Sequence, residues 1–316
     1  VALLEGGVRL AVGVTLALAL LVPWVPAGGY QQYVVQVATF VLINASVALA
    51  WDIQARTGQL SLAPAAFFGL GAYAYTIAAL RGVPLPLAFA MGPLAAAAVS
   101  LLLGIVTLRL HGLYFAIATL AFAEVVKVVF KELPVDLTGG AVGLTAPPLM
   151  GGHQTGLYYL GLAVLLVTIG ASLAVRHTRL HYAFTAIRQG ELTARVLGVP
   201  VVKMKMLAFV LSAALIGLAG AYATSRLFFV IPEDTFGIGI SVTALATAIF
   251  GGVYTTAGPI LGAAVLRTLE EGLRLLLREG YLVVYGVILM VVILYLPGGL
   301  AGLLAARRAR HAPSGD

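Results

Sequence analysis

Long apolar runs alternate along the chain with short polar connections, and the runs are of one size. A helix needs about 20 mostly apolar residues to cross the hydrocarbon core of a bilayer. Ten runs approach that scale: 8–25, 33–50, 60–80, 85–108, 114–130, 157–175, 206–224, 238–253, 259–276 and 281–296. The pattern predicts an all-α fold, a polytopic transmembrane helical bundle of about ten spans over residues 1–306, followed by a basic tail at 307–316. The first run also has the length of a signal-peptide core. Glu5 weakens the positive segment before it and the residues after Trp24 make a poor cleavage site, so it is read as a retained helix.

Two connections look structured. The stretch 135–155 is rich in Pro and Gly and reads as an external loop. The stretch 267–279 is amphipathic, and fits either an interfacial helix or a simple extension of the ninth span.

Charge gives the orientation. The connection 176–205 holds Arg176, Arg179, Arg188, Arg195, Lys203 and Lys205, with only Glu191 against them, and the tail adds Arg307, Arg308 and Arg310. Cytoplasmic segments carry such an excess. Four spans separate the two, so they agree, and counting back puts Arg9, Arg56 and Arg109 on the same side. The cytoplasmic side then holds 12 Lys/Arg and 4 Asp/Glu, against 7 and 8 outside. Both termini are thus expected inside.

Composition points the same way. Charged residues make up 10% of the chain, apolar residues 61%, and the mean hydropathy is +1.04. Soluble domains carry about 25% charged residues. The cysteine count of 0 excludes disulfides, thiolate metal sites and cysteine nucleophiles. The net charge of +7 is not gathered into a stripe, so it fits an anionic lipid surface rather than nucleic acid.

Catalytic signatures are missing. There is no G-x-x-x-x-G-K-[ST], no H-E-x-x-H and no G-x-S-x-G. His177 and His181 lie four apart but have no carboxylate near them in sequence, and read as topological charge rather than a metal site. Glu124 and Lys127, three apart in the fifth span, are placed to pair. No run of acids or histidines threads the spans, which argues against a proton-coupled carrier. No cofactor and no enzymatic activity is expected.

The third span opens with Thr57-Gly58-Gln59-Leu60-Ser61-Leu62-Ala63-Pro64 and continues Gly69-Leu70-Gly71-Ala72-Tyr73. Pro and Gly weaken a helix, and irregular backbone is tolerated in a membrane only where protein or a cavity covers it. This helix is expected to face the bundle interior. Ser61, Pro64, Gly69, Gly71, Tyr73 and Thr119 are the candidate residues of a translocation path, although close helix packing accounts for each one separately at least as well. Phe250-Gly251-Gly252-Val253-Tyr254 in the eighth span faintly echoes Phe68–Tyr73, which suggests a two-fold pseudo-repeat.

The connection 176–205 is too polar to span and too patterned for a slack linker. Phe184, Ile187, Leu192 and Val196 fit an amphipathic helix, or a helical pair broken at Gly190, ended by Gly198-Val199-Pro200. With Glu191 and small Ala194 in its middle, it suits a protein socket better than a lipid surface.

These segments resemble the membrane subunits of branched-chain amino acid ABC transporters, of the LivM type. The resemblance rests on 58–73, on Leu108-Arg109-Leu110-His111-Gly112-Leu113-Tyr114 with its continuation to Leu120, on Thr138-Gly139-Gly140 and Gly143-Leu144, and on Ala186-Ile187-Arg188 with Glu191, Ala194 and Leu197-Gly198. It ends near Gly258-Pro259-Ile260-Leu261-Gly262. It implies a permease subunit in a bacterial-type inner membrane, paired with a second permease subunit. Two cytoplasmic ATPase subunits would dock on it and an external solute-binding protein would deliver substrate. Glu191, Ala194 and Gly198 match the coupling motif of such importers, except that Gly198 falls seven positions after Glu191 rather than six, and Arg188 is assigned to the same coupling loop. The resemblance extends to permeases for urea and short amides. Alternating access driven by the ATPases is the implied mechanism; an ion-coupled carrier or a membrane enzyme lacks the residues it would need.

Overall fold

Inside a bilayer no water is available to backbone N–H and C=O groups, so an apolar run must satisfy them internally by coiling. In the computed structural model, which describes residues 13, 19–24, 30–277, 280–295 and 299–302, nine of the ten predicted spans fall on helices. They are α1 (Gln31–Ala55), α2 (Pro64–Leu80), α3 (Leu85–Thr107), α4 (Leu113–Glu132), α5 (Gln154–His177), α8 (Val201–Leu227), α9 (Ile238–Gly251), α10 (Ala257–Leu276) and α11 (Tyr281–Tyr295). Between α5 and α8 lie α6 (Arg179–Gln189) and α7 (Glu191–Val196). The predicted first span, Arg9 and the basic tail lie mostly or wholly outside the described residues.

Among the described residues six helical stretches are long and apolar enough to cross a membrane: α1, α3, α4, α5, α8, and Pro232–Gly251, which includes α9. The other predicted spans depart from that standard for visible reasons. Pro64 takes the first position of α2, where its missing N–H costs nothing. Residues 60–63, expected as helix, therefore run non-helical, and the 17 residues of α2 reach only about 26 Å. The helix needs no lipid contact, because all its residues from Pro64 to Tyr73 are buried in protein. Helix α10 carries Arg267, Glu270, Glu271 and Arg274, and runs unbroken to Leu276, so the amphipathic stretch begins as a helical extension. Helix α11 has only 15 residues.

Helix α8 is the hub, packed on α3, α2 and α1. The contact is made by backbone. A Cβ built on Gly71 would lie 2.0 Å from the Gly217 carbonyl oxygen, and one on Gly220 would lie 2.0 Å from that of Phe68. On Gly217 it would lie 2.5 Å from Ala96 Cβ, and on Gly92 2.8 Å from Ala221 Cβ. Glycine at these crossings lets α2, α3 and α8 approach without side chains between them. Around them the aromatic core closes: Phe67 meets Phe209 edge-on at 5.3 Å, and Tyr73 lies 5.6 Å from Phe236. Helix α4 stands at the rim, with Ile117, Val125 and Val128 exposed.

The predicted external loop folds back on the bundle. Leu144–Thr145 (β1) pairs antiparallel with Phe229–Val230 (β2), Leu144 opposite Val230. The two echoing segments occupy different places, one in the middle of α2 and the other at the end of α9.

Candidate coupling site at the basic end

Helices α6 and α7 form the pair expected from the break at Gly190, and they lie across the end of the bundle where α1, α3 and α5 finish. Helix α7 closes in a Schellman turn. Gly198 N–H donates to Arg195 O and Val199 N–H to Ala194 O, while Gly198 sits at φ +81°. That left-handed position is why Gly follows the helix here.

The four predicted coupling residues mostly hold this pair against the bundle. Glu191 turns inward and accepts from the Nζ of Lys205, a residue of α8 that is 2% exposed. His111, in the α3–α4 turn, places Nε2 3.4 Å from the other carboxylate oxygen of Glu191, and Arg195 stands at 4.0 Å. Burial by itself would raise the Glu191 carboxyl; the hydrogen bond and charge of Lys205, with His111, overcome it and hold the group below the usual glutamate range. Ala194 is fully buried in a small cluster with Ile187 and Val201. Arg188 lays its guanidinium 4.0 Å from the centre of the Tyr254 ring, in the α9–α10 turn. Behind it passes the turn after α1, so close that a Cβ on Gly58 would lie 3.3 Å from Arg188 Cα.

The apolar stripe read from the sequence divides in two. Phe184 and Ile187 face the bundle, 1% and 2% exposed, whereas Leu192 and Val196 are 78% and 87% exposed, joined by Leu197 at 70%. Gly190 turns the chain between the two helices and ends the continuity of the stripe. The outward face is therefore apolar and belongs to α7.

One constellation went unread in the sequence. Asp52 and Arg56, buried at the end of α1, form an ion pair with Arg56 Nη2 2.9 Å from Asp52 Oδ2. Arg56 also donates to Ser172 O at 3.2 Å and to Ser172 Oγ at 2.7 Å, in α5. Ser172 Oγ shares a hydrogen bond of 2.8 Å with Thr256 Oγ1, and the Tyr254 N–H donates to Asp52 Oδ1. The pair thus ties α1, α5 and the α9–α10 turn together, one residue away from the stack on Arg188. Arg56 was read as a topological charge; its spacing of four from Asp52 was the available signal. Lys205 was read the same way, and is instead buried and paired. The predicted Glu124–Lys127 pair is present, at 2.6 Å.

The candidate path residues cluster where α2 begins. The non-helical residues before Pro64 are held from three sides. Trp51 Nε1 donates to Ser61 O at 2.9 Å, Leu62 N–H donates to Thr119 Oγ1 at 2.9 Å, and Ser241 Oγ accepts from Ala65 N–H and donates to Leu62 O. Gly69 lies under the Phe236 ring and Gly71 on Gly217. The Tyr73 hydroxyl is buried with no hydrogen-bond partner among the described residues. These six residues are brought together, with Ser61, Pro64 and Thr119 at the start of α2 and Gly69, Gly71 and Tyr73 along it.

A family model described as the permease component of the branched-chain amino acid transport system matches residues 33–294, from α1 through most of α11. The chain belongs to this permease family. Among relatives of the permease, the high-affinity branched-chain amino acid transport system permease protein LivM of Escherichia coli K12 is 29% identical over 297 residues, which covers 84% of this chain and 69% of its own. The ribose import permease protein RbsC of Bacillus subtilis is 29% identical over 43% of this chain and 46% of its own. The autoinducer 2 import system permease protein LsrC of Salmonella choleraesuis is 35% identical over 44% and 40%. No solved structure gives a significant match to the permease. Its apolar helices make it a multi-pass membrane protein.

Proposed function

We propose that this permease is one subunit of an ATP-driven importer that moves branched-chain or related hydrophobic amino acids across a bacterial inner membrane. Its partners are a second, different permease subunit, two cytoplasmic ATPase subunits and an external solute-binding protein. The reading includes ten spans with both termini inside, so that α6 and α7 lie in the cytoplasm.

The observation that carries it is the division of labour in 176–205. Arg188, Glu191 and Ala194 hold the helical pair to the bundle, while Leu192, Val196 and Leu197 of α7 present bare apolar surface outward. That arrangement suits a lever: a partner grips one face, and the other face passes displacement to α8 through Lys205 and to the α9–α10 turn through Tyr254. Helix α2 is the proposed wall of the path, its register kept by Ser61, Pro64, Gly69, Gly71, Tyr73 and Thr119. The likeness to LivM over most of the chain supports the substrate class. The shorter likenesses to RbsC and LsrC favour, as a second reading, a sugar-like solute; urea and short amides are a third.

Reconstitution tests this. The permease, co-expressed with its partners in liposomes, should couple ATP hydrolysis to uptake of L-leucine presented by a loaded binding protein. Failure to purify with any ATPase subunit would sink the ABC reading. Full coupled transport by Glu191→Ala would sink the coupling assignment.

A further inference from the structure

At the end of the bundle away from α6 and α7, a cavity of about 220 Å³ opens between α1, α8, α9 and α10. Its walls are of two kinds. Phe40, Ile43, Val47, Phe68 and Ile240 give an apolar lining. Asp234, Arg267, Asn44, Thr224 and Thr243 supply the polar groups. Asn44 lies 11 residues before the end of α1, about 16 Å along the helix, which sets the polar floor near the middle of a bilayer. Transporter sites are commonly found at that depth.

The two charges in this wall are incompletely used. Arg267 gives Nη1 to Glu270 Oε2 at 2.8 Å, but its Nε is buried and has no partner among the described residues. Asp234 makes no ion pair among the described residues and is exposed. Its neighbour Glu233 is the one engaged, with Lys131 at 3.7 Å. A buried guanidinium N–H without an acceptor is a standing cost, and a carboxylate is its best complement. A free carboxylate beside an opening is the corresponding partner for an ammonium group. The apolar share of the lining disfavours a ligand that is polar along its length, such as a sugar.

The geometry points to a zwitterion site in this cavity: an α-amino acid whose carboxylate meets Arg267, whose ammonium meets Asp234, and whose aliphatic side chain lies on Ile43, Val47 and Ile240. The assignment rests on the amino-acid reading above and gives it a place in the chain. On the proposed orientation the site lies toward the outer side.

Because this sequence has a cysteine count of 0, a single thiol introduced into it reports this cavity without background. Thr243→Cys in the full permease, in lipid nanodiscs, is reacted with a charged thiol reagent while L-leucine is titrated in. We expect leucine to slow labelling at least fivefold. Leucinamide, which lacks the carboxylate, and 4-methylpentanoate, which lacks the ammonium, should not, and neither should D-ribose. A Tyr182→Cys control on α6 should be indifferent to all four. In the reconstituted transporter, Arg267→Gln and Asp234→Asn should each cut leucine uptake at least tenfold while leaving the melting temperature unchanged. Labelling that leucine does not slow, in a transporter that carries leucine, overturns the site and leaves the proposed function standing. Protection by leucine in a transporter that carries only ribose does the reverse. Equal protection by leucine and 4-methylpentanoate overturns the role of Asp234.

Discussion

Replacing Arg56 by methionine keeps the flexible apolar stem of the side chain and deletes its charged end. The wild-type guanidinium has 2 hydrogen bonds to Ser172, at 3.2 and 2.7 Å, beside its pair with Asp52. After the change, Ser172 Oγ still has Thr256 Oγ1, but the fully buried Asp52 carboxylate keeps only the Tyr254 N–H. Removing one partner of such a pair costs about 3–5 kcal/mol, mostly as the penalty on the charge left behind. At about 2 °C per kcal/mol for a chain of this size, the melting temperature should fall by roughly 6–10 °C. Intrinsic fluorescence in detergent is the assay. The sequence contains 2 tryptophans, and Trp51 is fully buried next to Asp52 in α1, so its emission follows this region. The double change Asp52→Leu/Arg56→Met removes both charges and should recover most of the loss, as apolar replacement of buried pairs does. A single variant that melts with the wild type would refute the reasoning, since Asp52 would then have found water or another partner. A double variant less stable than Arg56→Met would refute the claim that an orphaned charge is the cause.

Gly71→Ala should lower the yield of folded protein sharply, by about 1–3 kcal/mol or more, because the new methyl meets the Gly217 carbonyl at 2.0 Å and backbone cannot step aside; size-exclusion profiles read this, with Gly170→Ala, which meets nothing, as control. Leu192→Asp with Val196→Asp should abolish co-purification of the ATPase subunits while leaving melting unchanged; retained binding would show that the α7 face is not the socket. Burial, followed by the charges of Arg56, Arg176 and Arg188, lowers the His181 pKa below the ordinary 6.5. The unfolded chain therefore takes up that proton first, stability falls as pH drops below about 6.5, and His181→Phe should flatten the melting temperature between pH 7 and 5. Glu191, held below the usual glutamate range, contributes fully above the unfolded value of 4.5 and loses its contribution only as pH falls through its depressed folded value. Glu191→Gln should thus weaken the protein at both pH 8 and pH 6, which melting curves at both will check.

Much of the architecture was legible because length and apolarity are properties of a run. The helices of the predicted spans, the break at Gly190 and the Gly198 stop all follow from local rules. What escaped depended on partners far along the chain. Residues 60–63 look apolar enough for helix, but Thr119 and Ser241, on other helices, bind their backbone. Arg56 and Lys205 are indistinguishable in sequence from charges that merely sit at a membrane surface; burial by α5 in one case, and the approach of Glu191 in the other, makes them structural. The break at Gly190 is legible, but the sequence does not say that the turn there sends Phe184 and Ile187 to one side and Leu192 and Val196 to the other. The cavity at Asn44 and Arg267 draws on five separate segments, and no window along the chain holds more than a part of it.

The glycine crossings of α2, α3 and α8 have a mechanical consequence. Side chains between helices can change rotamer and let one helix slide on another; carbonyls and α-carbons in direct contact cannot. These three helices are therefore expected to move together. On the proposed coupling role, a displacement at Lys205, near the start of α8, would be shared by all three. The chain joins them to α1 through the short non-helical stretch ahead of Pro64, so its hydrogen bonds to Trp51, Thr119 and Ser241 are what would have to change for α1 to move against them.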